Sequence, residues 1–227
     1  MAIRDTVNVL IPPKAPNLPV ATMEYSRPFQ DQLLNILRLY FNQIDNFGSS
    51  LVNTTIGGGY LRFPHIAASD TTDQYATGDN TPTVVTWDTE EANIGFTLNS
   101  DGSASCNIPG TYKITYSLQL VNTSTSSEHT AYIWLKVDGG LVERSTTAFT
   151  IPKAASVDSY ICAYSEVVFD INAGEKIWLY WATDKAATSG GTKGIYIYAE
   201  AAQTSPYIRP AIPSAIGSIT FVSALST

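Results

Sequence analysis

The feature that most constrains the fold of this chain is a series of short stretches in which mainly aliphatic residues alternate with aromatic ones. Successive side chains of a β-strand point to opposite faces, so each stretch, as a strand, has one aliphatic and one aromatic face. The mainly aliphatic faces consist of Ile133, Leu135 and Val137, of Ile177, Leu179 and Trp181, and of Ile195 and Ile197. The aromatic faces consist of Tyr132 and Trp134, of Trp178 and Tyr180, and of Tyr196 and Tyr198. A two-sheet sandwich buries only one face of each strand, so the aromatic faces need another partner.

Tyrosine and tryptophan at a surface are typical of contacts between subunits, because their rings bury a large apolar area. The pattern therefore predicts a β-sandwich that buries its outer aromatic residues against copies of itself. The alternative is that some of these aromatic residues lie under long loops of their own domain.

Regularly spaced short strands are predicted between residues 81 and 203. Turn signals such as Asp101-Gly102 and Asp138-Gly139-Gly140 separate them. About eight strands with this punctuation predict a mainly β fold, a double-sheet jelly roll. The residues of Thr111–Val121 that we expect in the core are Tyr112, Ile114, Tyr116, Leu118 and Leu120.

Residues 23–48 contain the one helix that the sequence predicts, over about 27–47, with Ser26 as its cap and Gly48 as its end. Apolar residues follow a 4-3-4-3 spacing along it, namely Leu33, Leu37, Tyr40, Ile44 and Phe47. Further apolar residues widen this surface to most of the helix, which is then either buried in its own domain or bundled with copies of itself. We favour the bundle, because the residues that follow are predicted as strands.

The segments that flank these elements are predicted as an arm, a linker and a tail. Residues 1–22 form a proline-rich, extended arm that we expect to dock along a partner surface, although it can also fold onto its own domain. The apolar docking residues of the arm are Val9, Leu10, Ile11, Leu18 and Val20. Residues 49–80 are predicted as a linker, and residues 204–227 as a tail that packs on the head or on a neighbouring subunit.

Composition excludes several functions. Charged residues make up only 15% of the chain, and the formal net charge is −7 without a cluster of lysine and arginine. We therefore expect no nucleic-acid partner and no attraction to an anionic membrane. No signal peptide and no run of about 18 apolar residues is present, so we expect a protein made in a cytoplasm and not inserted in a membrane. Cys106 and Cys162 are expected to be free buried thiols, with a disulfide as the alternative.

Candidate catalytic or metal-binding groups are weak. Ser127-Glu128-His129 holds the residue types of a catalytic triad, but adjacent residues do not reach triad geometry. Carboxylates gather loosely at Asp70, Asp73 and Asp79, and again at Asp88, Glu90 and Glu91. Neither group has the spacing of a calcium loop, so we predict no catalytic residue, no metal ligand and no cofactor. A polysaccharide-cleaving enzyme that uses such carboxylates is a third, less favoured hypothesis.

Three segments resemble motifs of the jelly roll shared by tumour necrosis factor and the globular heads of complement proteins. They are Pro109-Gly110-Thr111-Tyr112, the hairpin Leu135–Gly140, and Val168–Leu179, in which Glu175 replaces the usual aspartate. The resemblance implies a compact homotrimer whose inner sheet packs around a threefold axis through aromatic residues, and it leaves calcium binding open. The candidate interface residues are Trp178, Tyr180, Tyr196 and Tyr198 in the head, together with Leu33, Leu37, Tyr40, Ile44 and Phe47 in a trimerising helix.

Residues 21–34 resemble the N-terminal module of tailed-phage virion proteins. Together the two resemblances imply a non-enzymatic, trimeric virion structural protein of decoration, head-fibre or spike type, made in the host cytoplasm. Its arm is expected to dock on a capsid or tail protein, and its jelly roll to form a displayed knob. The alternative is an adhesin that binds a host receptor or glycan through the loops 122–129, 145–159 and 184–193.

Overall fold

A computed structural model describes residues 13–20, 24–52 and 63–225, with the backbone alone described for residues 49–52. The chain divides into two compact units, residues 1–62 and residues 63–227. Three of the predicted docking residues, Val9, Leu10 and Ile11, lie outside the described residues. The other two, Leu18 and Val20, lie in a segment without helix or strand and are 54% and 90% exposed. The described part of the arm is therefore irregular, as its prolines require.

The described part of the first unit contains one helix, α1, Arg27–Val52. Its start agrees with the prediction, since the Gln30 amide donates to the Ser26 carbonyl at 3.1 Å. Its end differs, because the helix continues through Gly48 instead of ending there. A glycine ends a helix where it adopts the left-handed conformation, whereas inside a helix it costs only about 1 kcal/mol relative to alanine. A helix of this length tolerates that cost.

The second unit is a sandwich of two sheets. Sheet A contains β1 (His65–Asp70), β3 (Thr89–Ile94), β6 (Gly110–Asn122), β10 (Ser159–Ile171), β12 (Ile195–Ile197) and β13 (Ala215–Ser223). Sheet B contains β2 (Thr83–Val84), β4 (Phe96–Leu98), β5 (Ala104–Cys106), β7 (His129–Val137), β8 (Gly140–Leu141), β9 (Thr147–Ile151) and β11 (Lys176–Thr183).

The order of the strands is that of a double-sheet jelly roll. Sheet A runs β10, β6, β13, β1, β3, and β12 pairs with the last residues of β6. Sheet B runs β4, β5, β11, β7, β8, with β2 on β11 and β9 on β7. Neighbouring strands are antiparallel and mostly distant in sequence, so the chain crosses repeatedly between the sheets. The predicted fold class, a mainly β jelly-roll sandwich preceded by an arm and one apolar helix, is confirmed.

The core lies between the two sheets. The core residues predicted for β6 are all at most 5% exposed, namely Tyr112, Ile114, Tyr116, Leu118 and Leu120. The facing residues of sheet B are also at most 5% exposed, namely Ile133, Leu135, Ile177, Leu179 and Trp181. Tyr112 keeps its hydroxyl satisfied by donating to the Ile108 carbonyl at 2.6 Å. The period-2 alternation therefore identified the inner faces of both sheets correctly.

Two strands of sheet A lie in segments predicted as a linker and a tail. β1 falls within residues 49–80 and β13 within residues 204–227, and β13 lies between β1 and β6 in the sheet. The sandwich therefore extends beyond residues 81–203 on both sides, and the tail packs on the head. β1 is rich in alanine, serine and aspartate, which have low strand propensity, so it carries little local signal. In β13 the alternation is interrupted by Gly217, where an added Cβ would lie 2.7 Å from Cη2 of Trp87.

Two turns show how the sequence signals close the sheets. Asp138 and Gly139 have φ angles of +46° and +80°, as a tight hairpin between β7 and β8 requires. Glu175, which departs from the resembled motif, accepts hydrogen bonds from the Asn172 amide at 2.6 Å and from Asn172 Nδ2 at 3.0 Å. The glutamate therefore braces the turn between β10 and β11.

Candidate assembly surfaces and a loop groove

The outer face of sheet A, turned away from the core, is built mainly by β10, β6 and β13. Directly paired residues share a face, so the register creates rows of side chains across the sheet, such as Tyr164, Ser117 and Ile216. The apolar residues of this face, Tyr160, Tyr164, Val168 and Ile216, are between 48% and 57% exposed. We call these four residues the sheet A patch. Three of them lie on β10, an edge strand of sheet A, and Ile216 lies on β13. Apolar side chains left uncovered at these positions indicate a contact surface.

A cluster of four tyrosines lies at one end of this face, formed by Tyr75, Tyr160, Tyr196 and Tyr198. The rings of Tyr75 and Tyr196 stack with centroids 4.9 Å apart, Tyr196 meets Tyr198 at 6.2 Å, and Tyr198 meets Tyr160 at 5.4 Å. Tyr160 and Tyr196 pair with Val121 from opposite sides, and Val121 is fully buried. The tyrosine cluster therefore covers the outer side of β6 at this end.

The phenols of this cluster stay protonated at neutral pH. Burial, and then the charge of Asp73, raise the pKa of Tyr75 and of Tyr196 above the usual value for tyrosine. Asp73 also accepts a hydrogen bond from the Ala199 amide at 2.8 Å, which ties the segment after β12 to the segment after β1. The tyrosine hydroxyls are therefore neutral donors and acceptors.

The outer face of sheet B carries a second group of aromatic residues. Trp134 pairs with Tyr180 across β7 and β11, and the two rings stack at 6.0 Å with an angle of 18° between their planes. Lys136 places its Nζ 4.3 Å from the centroid of the Tyr180 ring, and Trp178 pairs with Lys136. Tyr132 is the most exposed aromatic residue of these rows, at 45%. Neighbours on the same sheet thus partly cover this group.

The structure separates the four head residues predicted to share one interface. Trp178 and Tyr180 lie on the outer face of sheet B, whereas Tyr196 and Tyr198 lie on the outer face of sheet A. All four are half-buried within the single chain. Because the core separates the two faces, one flat contact cannot contain all four residues. Their role in a subunit contact stays a prediction.

The five helix residues predicted for the interface lie together. At about 100° per residue they fall within a sector of about 80° of the helix surface. All five are half-buried in the single chain, namely Leu33, Leu37, Tyr40, Ile44 and Phe47. The opposite side is polar, with Asp31, Asn35, Arg38 and Asn42. These five residues form an apolar stripe. Beside it, Leu34, Leu39 and Phe41 are 63%, 55% and 58% exposed, so the apolar surface extends over more than half of the helix circumference.

A groove of about 320 Å³ opens where β6 ends and β10 begins. Each of the three loops predicted as receptor contacts supplies part of its wall. The wall consists of Thr123 from loop 122–129, Asp158 from loop 145–159, and Ala187, Thr188, Gly190, Gly191, Thr192 and Lys193 from loop 184–193. Tyr75 and Tyr196 complete the lining. The sequence placed Tyr75 in a linker, and no local signal brings it to the loops.

Hydrogen bonds within the chain hold the groove in shape. Thr123 Oγ1 lies 3.2 Å from both the carbonyl and the amide of Gly194, which fixes one loop to the other. Thr188 Oγ1 accepts a hydrogen bond from the Thr192 amide at 2.7 Å. Among the described residues, Asp158 and Lys193 form no hydrogen bond or ion pair, so both charged groups are unengaged at the groove.

The predicted carboxylate groups serve as braces within loops. Asp70 is 2% exposed and accepts hydrogen bonds from the amide and hydroxyl of Thr72 and from the hydroxyl of Thr86. Asp88 accepts from the hydroxyl and amide of Thr71, at 2.7 and 2.9 Å, and these bonds lower the pKa of Asp88. Oxygens that are occupied in this way hold loops and are not presented to a substrate.

Asp79 is used in the same way. It accepts hydrogen bonds from the Ala186 amide at 2.8 Å and from Lys185 Nζ at 3.0 Å, which lower its pKa. His129 has Asp184 as its partner at 3.2 Å, and the Ser127 carbonyl accepts from Asn122. In the part of the chain that the structure describes, no three His, Cys, Asp or Glu side chains are grouped to hold a metal ion. The one described helix, α1, lacks the length of apolar sequence that crossing a membrane takes.

The two cysteines are free and occupy different environments. Cys106 is buried, and burial raises the pKa of its thiol. Cys162 is exposed on the outer face of sheet A, with its Sγ 3.1 Å from Ser117 Oγ. The prediction that both thiols are buried is wrong for Cys162, because the alternation along β10 turns its side chain away from the core.

Comparison with known proteins gives no family assignment. No family model matches the chain, and no curated protein matches it. Among solved structures, the globular domain of the zebrafish complement 1qA protein is similar, with 12% sequence identity and a TM-score of 0.42. The match covers 72% of this chain and 100% of the zebrafish domain. The description of the fold therefore rests on the sheet topology given above.

Proposed function

We propose that this chain is a non-enzymatic, homotrimeric structural protein that displays a jelly-roll head. The observation that carries the proposal is the sheet A patch, four half-exposed apolar side chains on the outer face of β10 and β13. Every strand of a two-sheet sandwich buries one face in the core, so apolar groups on the second face need a further partner. A second copy of the chain is the partner that the sequence resemblance implies.

A cyclic trimer uses two different surfaces of each subunit, because every subunit contacts one neighbour on each side. We propose that the sheet A patch, together with Tyr196 and Tyr198, forms the surface nearest the threefold axis. Trp178 and Tyr180 lie on the far side of the sandwich and are partly covered by Trp134 and Lys136. We therefore place Trp178 and Tyr180 outside the central contact. The proposed contact contains fewer residues than the interface predicted from the sequence.

The helix supports the same proposal independently of the head. Its stripe of five residues has the spacing of a coiled-coil seam, and none of these residues is fully buried in the single chain. Three such stripes packed together would remove them from water. The helix is therefore proposed to gather the three chains.

The setting that we propose is a virion, with the arm of residues 1–22 docked on a capsid or tail protein. This part rests on the sequence resemblance of residues 21–34 and on the apolar arm residues, of which Leu18 and Val20 are exposed. Deleting residues 1–22 should abolish incorporation into particles assembled in host cells, while the purified variant keeps the oligomeric state of the full chain. Normal incorporation of the deletion variant would refute the docking proposal.

The trimer is tested by mass in solution. Sedimentation equilibrium of the full chain at micromolar concentration should give three times its mass of 24.6 kDa. A well-folded single chain under these conditions would remove the basis of the proposal. A dimer would equally contradict it, since the contact would then have twofold symmetry.

A second candidate function, a receptor-binding or glycan-binding adhesin, is favoured by one observation. The three loops named from the sequence converge on the groove beside Tyr75 and Tyr196. The two functions are compatible, because a displayed trimeric knob is also a suitable carrier for a binding site.

A further inference from the structure

We propose that the groove formed by the three loops is a saccharide-binding site. The inference deepens the adhesin candidate by naming the site and the class of its ligand. Within the groove we define the recognition set as Tyr75, Asp158, Thr192, Lys193 and Tyr196, all of which line it.

The size of the groove suits a small ligand. Its volume of about 320 Å³ lies at the lower end of the range of roughly 300–1,000 Å³ that is usual for ligand sites. A saccharide of one or two rings fits such a volume. An extended peptide or a folded partner needs a longer or flatter surface.

The charges of the groove favour a ligand that is polar and close to neutral. Its ionisable side chains, apart from two protonated tyrosines, are one carboxylate, Asp158, and one ammonium group, Lys193. A phosphate or sulfate would need an excess of donors, and a metal ion an excess of carboxylates. Asp158 is half-buried and forms no hydrogen bond among the described residues, so its oxygens can accept from sugar hydroxyls.

The aromatic rings supply the apolar part of sugar recognition. The face of a tyrosine ring is electron-rich and attracts the positively polarised C–H groups on one side of a pyranose. The rings of Tyr75 and Tyr196 are stacked with centroids 4.9 Å apart and 15° between their planes, so each ring holds the other in place and keeps one face outside this contact. Both phenols are neutral at neutral pH, since the ordinary pKa of tyrosine is about 10 and burial raises it further.

The groove is also held in the right shape before a ligand arrives. Gly194 closes the base of loop 184–193, where an added Cβ would lie 2.5 Å from the Lys185 carbonyl oxygen. The bonds of Gly194 to Thr123 join this loop to the end of β6. A site whose walls are fixed in advance loses less conformational entropy on binding, which helps a small ligand with few contacts.

The experiment uses the full chain on an array of immobilised hexose and N-acetylhexosamine oligosaccharides, with uronic-acid oligosaccharides as the charged comparison, followed by calorimetric titration of the best ligand. We expect binding to at least one of the two neutral classes. Tyr75→Ala and Asp158→Asn should each raise the dissociation constant at least tenfold. The matched control is Tyr132→Ala, which removes a half-exposed tyrosine from sheet B. This control should change the dissociation constant less than twofold.

The melting temperature of each variant reports whether the fold is kept. If Tyr75→Ala unfolds the protein, Asp158→Asn still tests the site, because asparagine has the same shape as aspartate. Absence of binding to both neutral saccharide classes overturns the proposal, as does binding that Asp158→Asn leaves unchanged. The oligomeric state is measured on the same samples. A monomer that binds sugar refutes the trimer and keeps the site, whereas a trimer that binds none refutes the site alone.

Discussion

Replacing Tyr164 by alanine is the sharpest test of the proposed trimer. Tyr164 lies in the middle of β10, on the outer face of sheet A, and its side chain is 56% exposed in the single chain. Its hydroxyl has one contact, with Glu166 at 3.4 Å on the same strand. Removing the ring therefore leaves the core of the subunit intact and changes the outer face alone.

The size of the effect follows from the exposed area. A tyrosine enclosed by protein buries about 150–250 Å², so the 56% that is still exposed corresponds to roughly 110 Å². At about 25 cal/mol per Å² this area stabilises a contact by at most about 3 kcal/mol per subunit, and by about 8 kcal/mol per trimer. That free energy equals about six orders of magnitude in the equilibrium constant for dissociation. Because this constant scales with the square of the subunit concentration, the midpoint of dissociation rises by up to about a thousandfold.

Sedimentation velocity over a range of subunit concentrations measures that midpoint. The matched control is Tyr132→Ala, which removes a tyrosine that is 45% exposed on sheet B. Alkylation of Cys162 adds a second readout, because this exposed thiol lies on the same strand and face as Tyr164. It should react slowly in the trimer and quickly after dissociation, whereas the buried Cys106 should react slowly in both.

The reasoning fails if Tyr164→Ala and Tyr132→Ala shift the midpoint equally, or if neither shifts it. It also fails if Cys162 reacts as fast in the assembled protein as in dissociated subunits. An equal shift would show that the contact does not favour sheet A over sheet B. No shift, or fast alkylation of Cys162 in the assembled protein, would show that the outer face of sheet A is open to solvent.

Three further predictions concern the helix and the stability of the sandwich. Leu37→Asp, on the apolar stripe, should reduce the oligomer mass measured by light scattering, whereas Asn42→Asp on the polar side should not. Gly217→Ala should lower the free energy of unfolding in urea by roughly 1–3 kcal/mol, since its Cβ would lie 2.7 Å from Trp87; an unchanged value would mean that the indole moves freely. Asp88→Asn should lower the melting temperature at neutral pH, because hydrogen bonds lower the pKa of Asp88 in the folded state. That contribution is present above the unfolded pKa of about 4 and is lost as the pH falls through the folded pKa, so the two melting curves should converge in acid.

Much of the fold could be predicted because the alternation of side chains along a strand is a local property. The core face of β6, from Tyr112 to Leu120, and the facing residues of β7 and β11 were identified in this way. The helix start at Ser26 is local too, since it depends on the residues of one turn. The end of the helix was not predicted, because a glycine at position 48 is compatible both with a helix that ends there and with one that continues.

The places of β1 and β13 in sheet A could not be predicted, since their partners lie far away in the chain. β1 consists largely of small residues and becomes a strand by pairing with β13 and β3. β13 contains Gly217, whose role is visible only when Trp87 is placed against it. Tyr75 in the groove belongs to the same class, because its neighbours in the groove lie between 48 and 121 residues away in the chain.

The sequence by itself determined which side chains of each strand face inward, since the two-residue period needs no knowledge of the fold. It also determined that aromatic side chains remain for the outer faces. The tertiary structure decided which sheet each of these faces belongs to, and so separated Trp178 and Tyr180 from Tyr196 and Tyr198. The physical reason is that strand pairing joins residues distant in sequence, and no local pattern records which strands will be neighbours.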